Sequence, residues 1–155
     1  MFLVNDSVYE RELLITQMME KDPSISFSLA MLHFEWSLKR IILSLGKSPS
    51  ISIKKKLETA VTVADFRSIW QKELTAKRGM CVISKVFSDW ETIHEIFHYR
   101  NKYVTYCRTH ETEILLKYTK VLLIASRELY DLGVSHNVDI YTKIPVKQMR
   151  FMKVI

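Results

Sequence analysis

Residues 24–46 read SISFSLAMLHFEWSLKRIILSLG, and this stretch decides the fold class. Ser24 or Ser26 gives a helix start signal, and Gly46 gives a stop signal. Between them, large apolar residues recur at steps of three and four, which places their side chains on one face of an α-helix. They are Met31, Phe34, Leu38, Ile41 or Ile42, and Leu45. The stretch therefore predicts a long amphipathic helix whose apolar face packs against other helices.

Further helix signals lie on both sides of this stretch. The segments that we expect to be helical are 7–20 with Asp6 or Ser7 as cap, 53–61, 65–76 opened by Asp65, about 80–106, and a last helix from Thr109 or Thr112 to Gly133. Pro23 is expected to separate the first two helices. After residue 138 no clean period remains, and Pro145 argues against one continuous helix. The pattern predicts an all-α bundle of five or six helices in a single domain, residues 1–155.

The composition agrees with one globular domain. The chain has 155 residues with 48% hydrophobic and 26% charged residues, and this length is enough for an ordinary core. Gly and Pro number only 3 each, which favours long helices joined by short connections. The net charge of +6 suits binding to a phosphate backbone. A solvated lysine-rich face is the alternative explanation of that charge.

Several classes of protein have no support in the sequence. There is no G-x-G-x-x-G, P-loop or G-x-S-x-G motif. The two cysteines, Cys81 and Cys107, suggest neither a disulfide framework nor a metal cluster, and we expect no cofactor. The first residues do not resemble a signal peptide. The apolar run at 121–125 is too short to span a bilayer. We therefore expect a cytoplasmic protein that does not bind membranes.

Residues 94–110, HEIFHYRNKYVTYCRTH, contain two incomplete enzyme signatures. His94, Glu95 and His98 form the zinc-protease pattern H-E-x-x-H, in which both imidazoles share a helical face and the glutamate is the general base. A catalytic zinc site needs a third protein ligand. The candidates for it, His110, Glu111, Glu113 and Glu128, lie in no follow-on motif. A zinc hydrolase is therefore the weaker alternative, and we predict no metal site.

The second signature begins at Arg100, which lies within an otherwise apolar helical stripe. That stripe comprises Trp90, Ile93, Phe97, Val104 and Cys107. A charge in such a place is costly unless it is paired or faces a cleft. Arg100 therefore has two interpretations, a functional group in a cleft or an arginine that snorkels or pairs with a structural carboxylate.

Together, LHFEWSLKRIILSLGKSPSISIKKKL, FRSIW and VFSDWETIHEIFHYRNKYV resemble the HEPN superfamily of small prokaryotic helical domains. The resemblance covers about residues 28–145, and only the arginine motif, R-(N/H/D)-x-x-x-H, is specific. It implies an all-α, HEPN-like bundle that forms a homodimer with both motif helices at a shared cleft. It also implies RNA cleavage without metal, with the 2′-hydroxyl as internal nucleophile.

The resemblance assigns roles to residues of this chain. Arg100 would stabilise negative charge on the phosphate, and Asn101 would orient the histidine or the phosphate. Thr105 stands where the family has its histidine, and a hydroxyl cannot shuttle protons near neutral pH as imidazole does. His98, on the same helical face, and His110, beyond the expected helix end, are the two histidines that we consider as replacements.

Basic and aromatic residues suggest a path for RNA. Lys102, Tyr103, Tyr106 and Arg108 interleave cations with rings on which unpaired bases stack. Further basic residues are Lys54, Lys55, Lys56, Lys77, Arg78, Lys147 and Arg150. We therefore predict an RNA-directed protein of toxin–antitoxin or anti-phage defence type, with an antitoxin or defence-system protein as a possible partner. Two forms stay open, a metal-independent endoribonuclease and a non-catalytic RNA-binding or regulatory module.

Overall fold

A computed structural model describes residues 7–106 and 112–148, with the side chains of residues 103–106 excepted. Six α-helices, and no strand, are found in these ranges. They are α1 (Val8–Lys21), α2 (Pro23–Leu45), α3 (Ser50–Glu58), α4 (Val63–Trp70), α5 (Trp90–Tyr106) and α6 (Thr112–Ser135). The predicted all-α bundle of five or six helices is confirmed. No helix in the described part is long and apolar enough to cross a membrane.

Short polar side chains set the first helix boundaries. Ser7 caps α1 in a capping box with Glu10, as one of the two predicted caps. Asp22 then caps α2 by accepting hydrogen bonds from the amides of Ser24 and Ile25. Pro23, which was expected to interrupt the chain, is the first residue of α2, where its missing N–H costs nothing. The break between the helices is therefore a single residue.

Helix α2 is the centre of the core. It packs most extensively against α6 and next against α1. Phe34, Leu38, Ile41, Ile42 and Leu45 of its predicted apolar face are at most 1% exposed. On α6, Leu115, Leu122, Ala125 and Leu129 are buried in the same way.

One glycine allows α6 to approach α2 closely. A Cβ atom on Gly133 would lie 2.9 Å from the carbonyl oxygen of Val138 and 3.0 Å from Cδ1 of Ile41. The same glycine's carbonyl accepts hydrogen bonds from the amides of His136 and Val138, which turn the chain after α6. Any larger residue would push the helix end away from α2.

His33 also lies on the buried side of α2, and only 1% of it is exposed. Its ring lies 6.5 Å from that of Tyr141, centroid to centroid. Burial, helped by the charge of Arg11, lowers the pKa of His33 to about 4. At neutral pH its imidazole is therefore uncharged, which is compatible with its burial in the core.

After α4 the helix continues as a π-helix over Gln71–Ala76. This segment carries Glu73, whose side chain is fully buried. The carboxylate accepts hydrogen bonds from the amide and hydroxyl of Ser48 and from the ammonium groups of Lys56 and Lys77. Burial alone would raise the pKa of Glu73, but these donors outweigh it and lower the pKa to about 2. Through its hydrogen bonds to Ser48, Glu73 thus links the α2–α3 connection to the π-helix.

The predicted helix from residue 80 begins ten residues too early. Gly79 has a φ of +72°, and the following chain contains only a short 3-10 helix, Ile83–Lys85. The carbonyl of Cys81 accepts hydrogen bonds from the Trp70 indole and the Thr75 hydroxyl, so it is not available to a helix. Helix α5 begins at Trp90, after Asp89, whose carboxylate accepts a hydrogen bond from the amide of Thr92.

The irregular segment after α6 crosses the C-terminal half of α2. Arg40 donates hydrogen bonds to the carbonyls of Ile140, at 2.8 Å, and of Thr142. Lys147 donates to the carbonyls of Leu43, at 2.7 Å, and of Gly46. The two hydrogen bonds from Lys147 satisfy carbonyls at the C-terminal end of α2, which lack amide partners within the helix. Residues 140–147 are thereby joined to α2 at both ends.

Candidate functional site

Arg100 lies on α5, one turn after the buried residues Ile96 and Phe97. Its guanidinium forms an ion pair with Glu35 of α2 and donates a second hydrogen bond, 2.9 Å long, to the carbonyl of Val61. The centre of the guanidinium is 5.4 Å from the Phe97 ring centroid. Three parts of the chain that are far apart in sequence therefore meet at this one side chain.

The pairing explains how a charge is tolerated next to the core. The Arg100 side chain is 19% exposed and the Glu35 side chain 18%. Burial lowers the pKa of Arg100, and the adjacent carboxylate offsets part of the cost of burying the positive charge. Of the two interpretations of Arg100, pairing with a carboxylate is thus observed.

Arg100 also faces a cleft. Together with Asn101 it forms one wall of an open cavity between α5, α2 and the α3–α4 connection. The other lining residues are Glu35, Lys39, Glu58, Ala60 and Val61. The motif arginine and the polar residue after it are therefore at the same surface, and Lys39 brings a second cation to it.

The Val61 carbonyl that holds Arg100 is itself fixed by a capping box. Thr62 caps α4, and the carboxylate of Asp65 accepts hydrogen bonds from the amides of Val61 and Thr62 at 2.9 and 2.8 Å. These bonds, with Thr62 the larger contributor, lower the pKa of Asp65. Asp65, the predicted first residue of this helix, is thus its third residue and completes the capping box. Through the Val61 amide it also holds the backbone that forms this wall of the cleft.

The charges of the cleft are balanced. Arg100 and Lys39 are opposed by Glu35 and Glu58. An anionic ligand has to share the Arg100 guanidinium with Glu35. The guanidinium carries five N–H donors, and the two contacts described use one nitrogen each. A phosphate oxygen is the kind of acceptor that such a planar donor set binds well.

The other predicted site residues do not all fall on described positions. His98 and Lys102 are exposed on α5, and neither is among the residues that line the cleft. The side chains of Thr105, His110, Tyr103, Tyr106 and Arg108 lie outside the described residues. Within the described ranges, the cleft therefore has an arginine, an asparagine and a lysine on its walls, and no histidine.

The zinc-protease pattern does not form a metal centre in the described part of the chain. His94, Glu95 and His98 are exposed. Glu95, the supposed general base, forms a hydrogen bond with Tyr118, and Glu128 accepts one from the amide of Ser88. Within the described part of the chain, no group of three or more His, Cys, Asp or Glu side chains is arranged to hold a metal.

Of the seven residues that line the cleft, only Arg100 and Asn101 were predicted from the sequence as site residues. Glu35 and Lys39 are one helical turn apart on α2, so they present opposite charges on one face. A carboxylate between Phe34 and Trp36 in a mostly apolar helix was a usable signal, because a charge there needs a partner. Its partner, 65 residues away, was not deducible from local spacing.

Comparison with known proteins adds no relative. No protein-family model matches the chain, and neither a curated protein nor a solved structure is significantly similar to it. The chemistry available to this protein therefore has to be inferred from its own side chains.

Proposed function

We propose that this protein is a HEPN-like, RNA-directed domain whose cleft at Arg100 binds the phosphate backbone of single-stranded RNA. The observation that carries the proposal is the position of Arg100 and Asn101 side by side on an open cleft, with Lys39 on the same cleft. The resemblance of the motif region to the HEPN superfamily and the net charge of +6 support it. The setting that we propose is a cytoplasmic toxin–antitoxin or anti-phage system.

For a single chain, the described residues favour binding over cleavage. Breaking the RNA strand through its 2′-hydroxyl requires a proton acceptor and a proton donor near the phosphate. The described cleft contains no imidazole, and His98 is on the exposed surface of α5. Cleavage therefore requires a proton-transfer group that is not among the described lining residues, either His110 of the same chain or His98 or His110 of a second copy in the homodimer that the resemblance implies.

The test is titration of a fluorescein-labelled 12-nucleotide single-stranded RNA, with anisotropy as the readout and gel analysis of the same samples. We expect Arg100→Ala to weaken binding about five- to tenfold, as loss of a charge-assisted hydrogen bond does. Arg127→Ala is the matched control because Arg127 also pairs with a carboxylate, Glu12, but on α1 and α6. That control should change the affinity less than twofold.

The same experiment, repeated with EDTA, distinguishes RNA binding, metal-independent RNA cleavage and metal-dependent cleavage. RNA that is bound but intact supports a binding module, and EDTA-resistant cleavage that Arg100→Ala abolishes supports a ribonuclease. Cleavage that EDTA stops would favour the zinc hydrolase. Absence of binding by folded protein, or equal affinity of Arg100→Ala and Arg127→Ala, would refute the proposal.

A further inference from the structure

A second cavity adjoins the arginine cleft along α2. Its lining residues are Trp36, Lys39, Arg40, Leu43, Lys54, Leu57 and Glu58, and its volume is about 260 Å³. Lys39 and Glu58 also line the arginine cleft. The two cavities are therefore neighbouring parts of one groove between α2 and α3.

The two parts of the groove differ in chemistry. The second cavity is lined by three large apolar side chains, Trp36, Leu43 and Leu57, and by three basic ones, Lys39, Arg40 and Lys54. Glu58 is its one acidic lining residue. A largely apolar lining that also carries an excess of positive charge suits a ligand that is flat and apolar in one part and anionic in another.

The indole of Trp36 is held in a fixed position. The guanidinium carbon of Arg11 lies 4.1 Å from the ring centroid and that of Arg40 lies 5.1 Å from it. The ring of Tyr141 is 5.1 Å away, centroid to centroid. Because neighbours from α1 and from the segment after α6 constrain it, this wall is formed before any ligand arrives.

We propose that the Trp36 pocket is a nucleobase subsite, which takes a base of the RNA strand whose phosphate lies between Lys39 and Arg100. This inference rests on the proposed function and specifies how the strand lies. Side chains 35 to 43 of α2 line the groove, a length of about 12 Å at 1.5 Å per residue. That is the scale of a dinucleotide rather than of a single phosphate.

The pocket offers few groups for reading a base edge. Its apolar lining is an indole and two leucine side chains, which contact any base through apolar surface. We therefore expect binding that requires a base but tolerates different sequences. The edge lysines contribute through the phosphate backbone, so their contribution falls with salt.

The test compares a ten-nucleotide uridine RNA with a ten-unit abasic oligonucleotide of the same backbone charge. The intact protein should bind the uridine RNA about fivefold more tightly, because a base in the pocket adds contact with the apolar lining. Trp36→Leu should reduce this preference below about twofold. Lys54→Ala should weaken uridine binding about threefold and reduce its salt dependence, and Lys55→Ala, on the same helix but outside the groove, should not.

The outcomes separate the subsite from the proposed function. RNA binding that depends on Arg100 but is unchanged in Trp36→Leu and Lys54→Ala overturns the subsite alone. A protein that binds neither oligonucleotide overturns both. A change in sedimentation of Lys54→Ala, without a change in RNA affinity, would assign the groove to contact between copies of this chain and overturn the subsite. Since Lys54 is exposed, its variant tests the path of the strand along the groove even if Trp36→Leu fails to fold, and equal affinity of the unaltered protein for the two oligonucleotides would overturn the subsite.

Discussion

Arg100 of α5 and Glu35 of α2 form an ion pair in which each side chain is less than one-fifth exposed. The pair links the motif helix to the central helix of the core. It also places a carboxylate beside the guanidinium that we propose binds phosphate. Glu35 therefore has two opposite effects, since it stabilises the fold and competes with an anionic ligand.

Glu35→Gln separates these effects. We expect the free energy of unfolding to fall by about 1–2 kcal/mol, because the Arg100 charge loses its charged partner in a half-buried site. We expect RNA affinity to rise about two- to fivefold, because no carboxylate competes with the phosphate. Urea unfolding and RNA anisotropy measure the two quantities.

Glu58→Gln is the control for that experiment. It removes the other carboxylate of the cleft, but Glu58 is exposed, so stability should change by no more than about 0.5 kcal/mol. A Glu35→Gln protein that is less stable and also binds RNA less tightly would show that the pair positions Arg100 for binding.

Glu73 makes stability dependent on pH in the acid range. Its folded-state pKa of about 2 lies below the ordinary value of 4.5, so its contribution is complete above pH 4.5 and is lost as the pH falls toward 2. We expect this loss to amount to about 2–3 kcal/mol. Urea unfolding at pH 5.5 and pH 3 should show a larger decrease for the unaltered chain than for Glu73→Gln.

His33 makes the free energy of unfolding depend on pH in a higher range than Glu73 does. Its folded-state pKa of about 4 is below the ordinary value of 6.5. As the pH falls, the His33 imidazole is therefore protonated in the unfolded chain at a higher pH than in the folded protein. Stability should therefore decline as the pH falls from 6.5 to 4, by up to about 3 kcal/mol. His33→Gln should remove this decline between pH 7.5 and pH 5, measured by urea unfolding. His94→Gln, a change at an exposed histidine, should preserve it.

Gly133→Ala tests the close approach of α6 to α2. A methyl group there meets a backbone carbonyl at 2.9 Å, which cannot move as easily as a side chain. Overpacking of this kind costs about 1–3 kcal/mol, and the better helix propensity of alanine recovers up to about 1 kcal/mol. We expect a lower melting temperature, with Val134→Ala, at an exposed neighbour, close to unchanged. A melting temperature that rises would show that the helix end moves freely.

The helices that could be predicted are those with a clear apolar period, although α2 is capped by Asp22 and starts at Pro23, before the predicted Ser24 or Ser26. Ser7 for α1 and the apolar face of α2 were sufficient for the fold class, because these signals are local. The prediction that residues 80–89 are helical was wrong. Val82 and Val86 have a helical spacing, but they do not form one buried face, since Val82 is 37% exposed. There, hydrogen bonds from Trp70 and Thr75 to the Cys81 carbonyl override the local pattern.

The site was predictable only in part. Arg100 was recognisable because a charge interrupts an apolar stripe, and Asn101 because of the motif that follows the arginine. The rest of the cleft depends on which helices pack together, and no periodicity gives the contact between Glu35 and Arg100 or the placement of the Val61 carbonyl. The sequence shows that residue 36 is a tryptophan, but it does not predict the pocket, because the opposite wall of that pocket is formed by α3.

The contacts between α2 and the segment after α6 also affect how the chain folds during synthesis. Arg40 is 100 residues before its partner Ile140. At about 5–20 residues per second, a ribosome takes roughly 5–20 s to make that stretch. During this time α6, the main partner of α2, is incomplete, and apolar side chains such as Phe34 and Ile41 have no finished core to enter. The apolar face of α2 is therefore open to aggregation until α6 has been made, and we expect a chaperone that covers α2 during this time to raise the yield of folded protein.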